Sequence, residues 1–166
     1  MKQGSIYVAV VFAALAGYFT YQWWFNPNRM IKTRLGDVAA ALSAPADEAE
    51  LGRLARLAQI RTLATADLHV RIGKSGPDLA SRDAVLAAFG GWTPPRGGRN
   101  IDFVDVDVRV NSDGTARAFV TAEASTHEPN SDRQTLDSRE VTFSFVKQNG
   151  EWLVSEAEMK DLPQAR

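Results

Sequence analysis

The sequence contains no cysteine, and its other chemically reactive residues are few. Without a thiol, the chain cannot form disulfides, thiolate metal sites or a cysteine nucleophile, although this does not decide its compartment. Histidine occurs at two positions, His69 and His127. All three tyrosines lie within residues 1–21, so the rest of the chain has no tyrosine for catalysis. The sequence motifs of phosphate-binding loops, serine hydrolases and zinc proteases are also missing.

The chain also lacks an excess of charge of either sign. It carries 19 Lys and Arg residues against 20 Asp and Glu residues, which gives a net charge of −1. A protein that binds nucleic acid through its phosphates needs a clear basic excess. We therefore expect no nucleic-acid partner, and we predict no cofactor and no metal. With 166 residues, the chain is long enough for one domain with a buried core.

Charged residues are missing altogether from residues 6–25, which read IYVAVVFAALAGYFTYQWWF. An apolar run of about 20 residues has the length that a helix needs to cross a bilayer. We predict a single transmembrane anchor within residues 1–26. The alternative is a cleaved signal peptide with Ala14-Leu15-Ala16 as its cleavage site. The apolar run continues well past this site, which favours the anchor.

Aromatic and basic residues mark the end of the predicted anchor. Trp and Tyr rings favour the headgroup layer of a bilayer. The predicted membrane-interface residues are Tyr21, Trp23, Trp24, Arg29 and Lys32. The basic residues after the span favour a cytoplasmic domain, whereas the short start with Lys2 resembles a bacterial signal-anchor that exports the domain behind it. We favour a periplasmic domain on a bacterial inner membrane, with the cytoplasmic orientation as the alternative.

A second helix is predicted directly after the anchor. Asn26 suits the N-cap, and Pro27 suits the first helical position. Apolar residues then recur at helical spacing, at Ile31, Leu35, Val38 and Leu42. This amphipathic connector, residues 27–46, either lies on anionic headgroups or packs its apolar stripe on its own domain, and we favour packing.

The remainder, residues 47–166, is predicted to be one α+β domain. Its first helix should run to about Thr65, with an apolar face of Leu51, Leu54, Leu57, Ala58, Ile60 and Leu63. A short strand follows in ADLHVRIG, and another helix begins at the N-cap Ser81. Alternating residues then predict long strands, the first with one face of Val104, Val106, Val108 and Val110. Asn149-Gly150 predicts a tight hairpin before the last strand.

This order of elements resembles the nuclear-transport-factor-like superfamily, which includes ketosteroid isomerase and scytalone dehydratase. The resemblance covers about residues 51–162 and is carried by ADLHVRIG, SRDAVLAAF and REVTFSFVKQNGEWLVSEAEM. It implies a cone of helices packed on a curved, mainly antiparallel sheet. Many members have Gly where this chain has Ser81. Enzymes of the superfamily place polar residues inside the cone, and both named enzymes use tyrosines, which this domain lacks.

Three residues would border a pocket in such a cone: His69, Phe89 and Trp92. His69 would act as a general base if an acid such as Asp67 held it. We favour a surface position for His69, opposite the apolar face of its strand. Phe89 and Trp92 would either wall the mouth of the pocket or close one end of the core.

An acidic run on a later strand is the other feature with possible chemistry. The run consists of Asp102, Asp105 and Asp107. Asp105 and Asp107 share a predicted strand face, which makes a cation site conceivable. Arg109 lies on the same face and would offset their charge. A solvated strand face is therefore the favoured interpretation.

Because no catalytic constellation emerges, we predict a non-enzymatic protein. The expected role is a single-pass accessory subunit whose domain packs against other subunits of a larger membrane complex of respiratory, photosynthetic or secretion type. The layout resembles the inner-membrane subunit of type IV secretion systems, which has an anchor followed by a domain of the same superfamily. The alternative is a small-ligand-binding protein, or a lyase- or isomerase-like enzyme that uses the cone cavity.

Overall fold

The structure is a computed structural model that describes residues 10–18, 26–74, 76–93, 96–127 and 134–160. Residues 10–18 form a helix that is exposed along its whole length. Among the described residues, no helix combines the length and the apolar character that crossing a membrane requires. The predicted anchor, residues 1–26, also includes residues outside the described part of the chain. Tyr21, Trp23 and Trp24 lie outside the described residues.

From residue 26 onward, helices pack on one face of a single sheet. The elements are α1 (Pro27–Leu42), α2 (Glu50–Leu63), β1 (Ala64–Ile72), β2 (Asp78–Leu79), α3 (Arg82–Gly91), β3 (Arg99–Val110), β4 (Thr115–His127), β5 (Gln134–Gln148) and β6 (Glu151–Met159). The strand order is β2-β1-β6-β5-β4-β3. The β1–β6 pair is parallel, and the other four pairs are antiparallel. The predicted α+β arrangement on a mainly antiparallel sheet is confirmed.

α1 belongs to the core of the domain. The Asn26 side chain accepts a hydrogen bond from the Asn28 backbone at 3.0 Å, which begins the helix as predicted. Ile31, Leu35 and Val38 are 0%, 1% and 8% exposed and lie in the same apolar cluster as the sheet residues. A stripe buried in this way is not available to lipid headgroups. The core therefore includes residues on both sides of the predicted boundary at residue 47.

Small and large residues face each other across the central strands of the sheet. The alanines of β4 stand directly opposite phenylalanines of β5, in the pairs Ala118–Phe143 and Ala116–Phe145. All four residues are buried. Two rings on the same face of one strand need small residues on the neighbouring strand to reach close packing. The run of alanines thus provides room for the rings that fill the core.

Local turn and cap chemistry is formed where the sequence predicted it. The Ser81 hydroxyl accepts a hydrogen bond from the Ala84 backbone at 3.1 Å and caps α3. Asn149 and Gly150 have φ values of +52° and +87°, the left-handed conformation that a two-residue hairpin requires at both positions. The last two strands are thereby held in antiparallel register.

β3 departs from simple alternation because it contains a β-bulge. Its pairing with β4 shifts register between Val104 and Asp107, and Asp105 has a φ of +52°. An extra residue in one strand reverses the side-chain alternation after it. The prediction of a continuous valine face was therefore wrong at Val104. Phe103 instead packs against the core, together with Val106, Val108 and Val110.

α2 also buries a different face from the predicted one. Arg56, Ile60 and Leu63 are buried, at 5%, 7% and 5% exposed. Leu51 and Leu54 are 81% and 54% exposed. Positions spaced four and three apart share one face of a helix, and here that face begins with an arginine. Ala58 is exposed as well, so the predicted apolar face was wrong at Leu51, Leu54 and Ala58.

Candidate functional site

Large apolar side chains fill the space between α1 and the sheet. Phe145, Ile31 and Leu35 are the largest side chains with less than 2% of their surface exposed. Trp152 is 3% exposed, and the ring of Phe143 contacts that of Phe103 edge-on, with 5.3 Å between the ring centroids. The centre of the cone is thus packed as a hydrophobic core.

An open groove lies at the edge of this core, between α1 and β3, and we name it the α1–β3 groove. Its volume is about 530 Å3. The α1 side contributes Lys32, Leu35, Gly36, Ala39 and Ala40, followed by Ser43. The β3 side contributes Asn100, Ile101, Asp102, Phe103 and Val106. A Cβ atom on Gly36 would meet nothing within 4 Å, so small residues leave this side of the groove wide.

At the start of β3, the edge of the sheet pairs with another segment of the same chain. Arg99 and Ala44 exchange two backbone hydrogen bonds of 2.7 and 2.8 Å. The Ile101 N–H donates to the Ser43 hydroxyl at 2.9 Å. Gly98 permits this close approach, because a Cβ there would lie 2.6 Å from the backbone of residue 46 and its φ is +75°. In the described part of the chain, no backbone pairs with this edge after Ile101.

The exposed side chains of β3 are mostly acidic. Asp102 lines the groove, and Asp105 and Asp107 are exposed further along the strand. Arg109 donates to Asp107 at 3.1 Å, whereas among the described residues neither Asp102 nor Asp105 forms an ion pair. The described residues also contain no cluster of three His, Asp or Glu side chains suited to a metal ion.

A buried ion pair joins α2 to the segment directly before it. Arg56 donates to Glu48 through Nε and Nη2, at 3.0 and 2.7 Å, and the side chains are 5% and 6% exposed. These hydrogen bonds lower the pKa of the Glu48 carboxyl. The Arg56 Nη1 atom has no hydrogen-bond partner among the described residues. Sequence reasoning missed this pair, although Arg56 shares a helix face with Ile60.

Comparisons with known proteins identify the fold. No protein-family model and no curated protein matches the chain. A solved structure from Novosphingobium aromaticivorans with a provisional scytalone dehydratase name is 17% identical, with a TM-score of 0.62 over 81% of this chain and 83% of that one. An NTF2-like protein with a cystatin-like fold from the same organism is 15% identical, with a TM-score of 0.62 over 91% and 92%.

A third solved structure, an NTF2-like protein of unknown function from Pseudomonas putida, is 15% identical, with a TM-score of 0.59 over 80% of this chain and 84% of that one. The chain has a nuclear-transport-factor-like fold. Identities this low establish the fold alone. What the domain does must therefore be argued from its own residues.

In this nuclear-transport-factor-like cone, His69 lies on the face of the sheet away from the core. Its Nε2 contacts the carboxylate of Asp78, and 38% of the His69 side chain is exposed. Arg71, two residues further on, pairs with Glu156 at 2.6 Å. The neighbouring Leu68 points to the other face and is buried. The structure thus places His69 among exposed ion pairs.

Phe89 and Trp92 lie at the end of α3, apart from His69. Phe89 packs against the core cluster. The Arg99 guanidinium lies over the Trp92 ring, 5.1 Å from its centroid. Trp92 therefore sits beside the start of β3. The structure does not bring them together with the predicted histidine.

The two described residues of the predicted membrane interface are both exposed on α1. Arg29 lies in the first turn of the helix, and Lys32 lies one turn later. Lys32 also lines the α1–β3 groove. A residue predicted for a lipid surface thus borders the α1–β3 groove. Asp102, which belongs to the acidic run noted in the sequence, lines the same groove. The sequence did not predict that these residues meet, because the two sides of the groove lie far apart along the chain, as Ser43 and Ile101 do at 58 positions.

Proposed function

We propose that this chain is a non-catalytic accessory subunit, held at a membrane by its N-terminal segment, whose domain binds other subunits of a larger membrane complex. The observation that carries the proposal is the filled interior of the cone. Enzymes and ligand carriers need a lined concavity for their substrate. Here Phe143, Phe145 and Trp152 occupy that space together with the stripe of α1. A domain with a packed interior presents its binding surfaces on the outside.

The outer surface offers features that suit a protein partner. The α1–β3 groove combines apolar side chains with a strand edge that no described backbone segment pairs after Ile101. Leu51 and Leu54 expose large apolar side chains on α2. Interfaces between subunits are built around such apolar centres with polar rims. These surfaces support a role in assembly.

The membrane part of the proposal rests on residues 6–25. They carry no charge and end in Trp23, Trp24 and Phe25. Asn26, the N-cap of α1, follows directly, so the domain begins without a linker. A domain joined in this way would be held against the bilayer surface. The periplasmic side of a bacterial inner membrane remains our proposed location.

The proposal is tested by mild detergent extraction of a C-terminally tagged chain from its native membrane. We expect membrane-protein partners in fixed stoichiometry with the chain. As a control, residues 1–26 carrying the same tag should retain none of these partners, because the domain provides the contact. A chain that is always extracted alone, as a monomer, would contradict the proposal.

A second candidate function is small-ligand binding, with or without lyase or isomerase chemistry. It is favoured by the volume of the α1–β3 groove, which falls in the usual range for ligand sites, and by its polar residues Lys32, Asp102 and Ser43. Screening by nuclear magnetic resonance with small polar aromatic compounds tests it. Saturable shifts confined to groove residues would support this function. Their absence, with partners found in the extraction, would leave the assembly role.

A further inference from the structure

We propose that the α1–β3 groove binds an extended, basic segment of a partner subunit, whose backbone pairs with the open edge of β3. This inference rests on the proposed function, because it names the partner chemistry of that surface. Addition of a strand to a sheet edge is a widespread mode of peptide recognition, in which backbone hydrogen bonds give affinity and side-chain pockets give specificity.

Every second residue of β3 points its backbone N–H and C=O away from β4. Arg99 and Ile101 do so, since they bond to residues 43 and 44. Alternation along a strand directs those of Phe103 to the same side. After the bulge, the Asn111 N–H donates to Thr115 of β4. Because the direction alternates along the strand, the backbone N–H and C=O of Val108 point away from β4. A row of donors and acceptors thus continues where the chain's own pairing stops.

The groove has the shape for a strand beside this edge. A paired strand would lie about 4.8 Å from β3, and its alternate side chains would point toward α1. On that side Gly36 and Ala40 present little bulk, and Leu35 provides an apolar floor. Apolar side chains at every second position of the partner would fill this space.

The charge of the edge determines the kind of segment. Asp102 and Asp105 have no ion-pair partner among the described residues, whereas Lys32 is the one cation that lines the described groove. A basic residue on the bound strand would compensate these carboxylates. Two copies of this chain pairing edge to edge would instead place aspartates against aspartates, which disfavours a second copy as the occupant.

The test uses three synthetic peptides and the whole chain in a nonionic detergent. The first peptide has eight residues with alternating lysine and valine. The second has glutamate in place of lysine, and the third carries methyl groups on alternate backbone nitrogens of the first. We expect binding of the first peptide and at least about tenfold weaker binding of the others, because one loses charge pairing and the other loses backbone hydrogen bonds.

Two substitutions locate the binding. Gly36→Phe fills the groove and should abolish binding, whereas Thr33→Phe places the same side chain at an exposed α1 position outside it. Asp102→Asn should weaken binding about tenfold, and Asp137→Asn on β5 should not. Amide exchange at Phe103 and Val108 should slow when the peptide binds. Binding that survives Gly36→Phe, equal binding of all three peptides, or no binding of the first peptide would each overturn the proposal.

Extraction of Gly36→Phe and Thr33→Phe chains from native membranes separates this inference from the proposed function. Partners lost from Gly36→Phe and kept by Thr33→Phe agree with both. Partners kept by both variants refute the groove as the contact and leave the accessory role standing. A wild-type chain without partners refutes the accessory role itself. Self-association that Gly36→Phe removes would show a second copy as the occupant and overturn the inference.

Discussion

α1 and α2 have similar amphipathic sequences, yet the predicted apolar face is buried much more fully in α1 than in α2. In the predicted stripe of α1, Ile31, Leu35 and Val38 are buried and Leu42 is partly buried. The predicted face of α2 exposes Leu51 and Leu54, and the buried position goes to Arg56. Helical spacing shows that residues share a face. Which part of that face is covered depends on where neighbouring elements end.

The difference extends to the chemistry that holds each helix. The buried stripe of α1 lies in the apolar core cluster. α2 relies partly on the bidentate pair between Arg56 and Glu48. Buried ion pairs gain Coulomb energy but lose hydration, so their net stabilisation is small. Removing one partner, however, leaves an uncompensated buried charge.

The largest effect is expected from Arg56→Met, which leaves Glu48 unpaired. Loss of one partner of a buried pair costs about 3–5 kcal/mol of unfolding free energy. Urea unfolding of the whole chain measures it. The double variant Arg56→Met, Glu48→Leu serves as control and should regain most of this loss, because no buried charge remains. If the double variant is as unstable as the single one, packing rather than charge holds α2.

A slightly smaller effect is expected from Leu35→Ala on α1. The side chain is 1% exposed, and truncating a buried leucine costs about 2–5 kcal/mol through lost burial and the cavity left behind. The same unfolding measurement applies. A loss below about 1 kcal/mol would show that α1 is loosely attached and would remove the contrast with α2.

The sequence predicted what local chemistry controls. Asn26 and Ser81 cap their helices, and Asn149-Gly150 forms its hairpin, since each signal is satisfied by residues within a few positions. The α+β class followed from these local assignments. The superfamily resemblance was sound at the level of fold.

Features that depend on distant segments were not predictable in the same way. The bulge at Asp105 is visible only once β4 is paired beside it. Burial of Arg56 depends on the position of the segment that carries Glu48. The groove joins Ser43 to Ile101 across 58 positions, and no pattern in either segment encodes that meeting. The sequence therefore did not predict the groove. It singled out Lys32 and Asp102, but for a membrane interface and an acidic strand face.

Acid should weaken the attachment of α2 more than that of α1. Hydrogen bonds from Arg56 hold the pKa of Glu48 below its ordinary value. A carboxyl with a lower pKa in the folded state adds stability above its unfolded pKa, about 4.3, and loses it as the pH falls through the folded pKa. We expect unfolding free energy to fall below this pH. Asp67 and Asp113 also have lowered pKa values. The decisive measurement is therefore the difference in unfolding free energy between the wild-type chain and Glu48→Gln as the pH is lowered. Parallel curves for the two chains would contradict this prediction.

The smallest effect is expected from Leu54→Gln, at the exposed end of α2. With 54% of its surface exposed, the side chain has little burial to lose. Leucine and glutamine have similar helix propensities, so the change in unfolding free energy should stay within about 0.5 kcal/mol. Urea unfolding measured beside Leu35→Ala gives the direct contrast between two leucines of similar helices. A loss approaching that of Leu35→Ala would mean that Leu54 is covered in solution, by another part of this chain or by a second copy. A concentration-dependent loss would point to the second copy, because only association between chains depends on concentration.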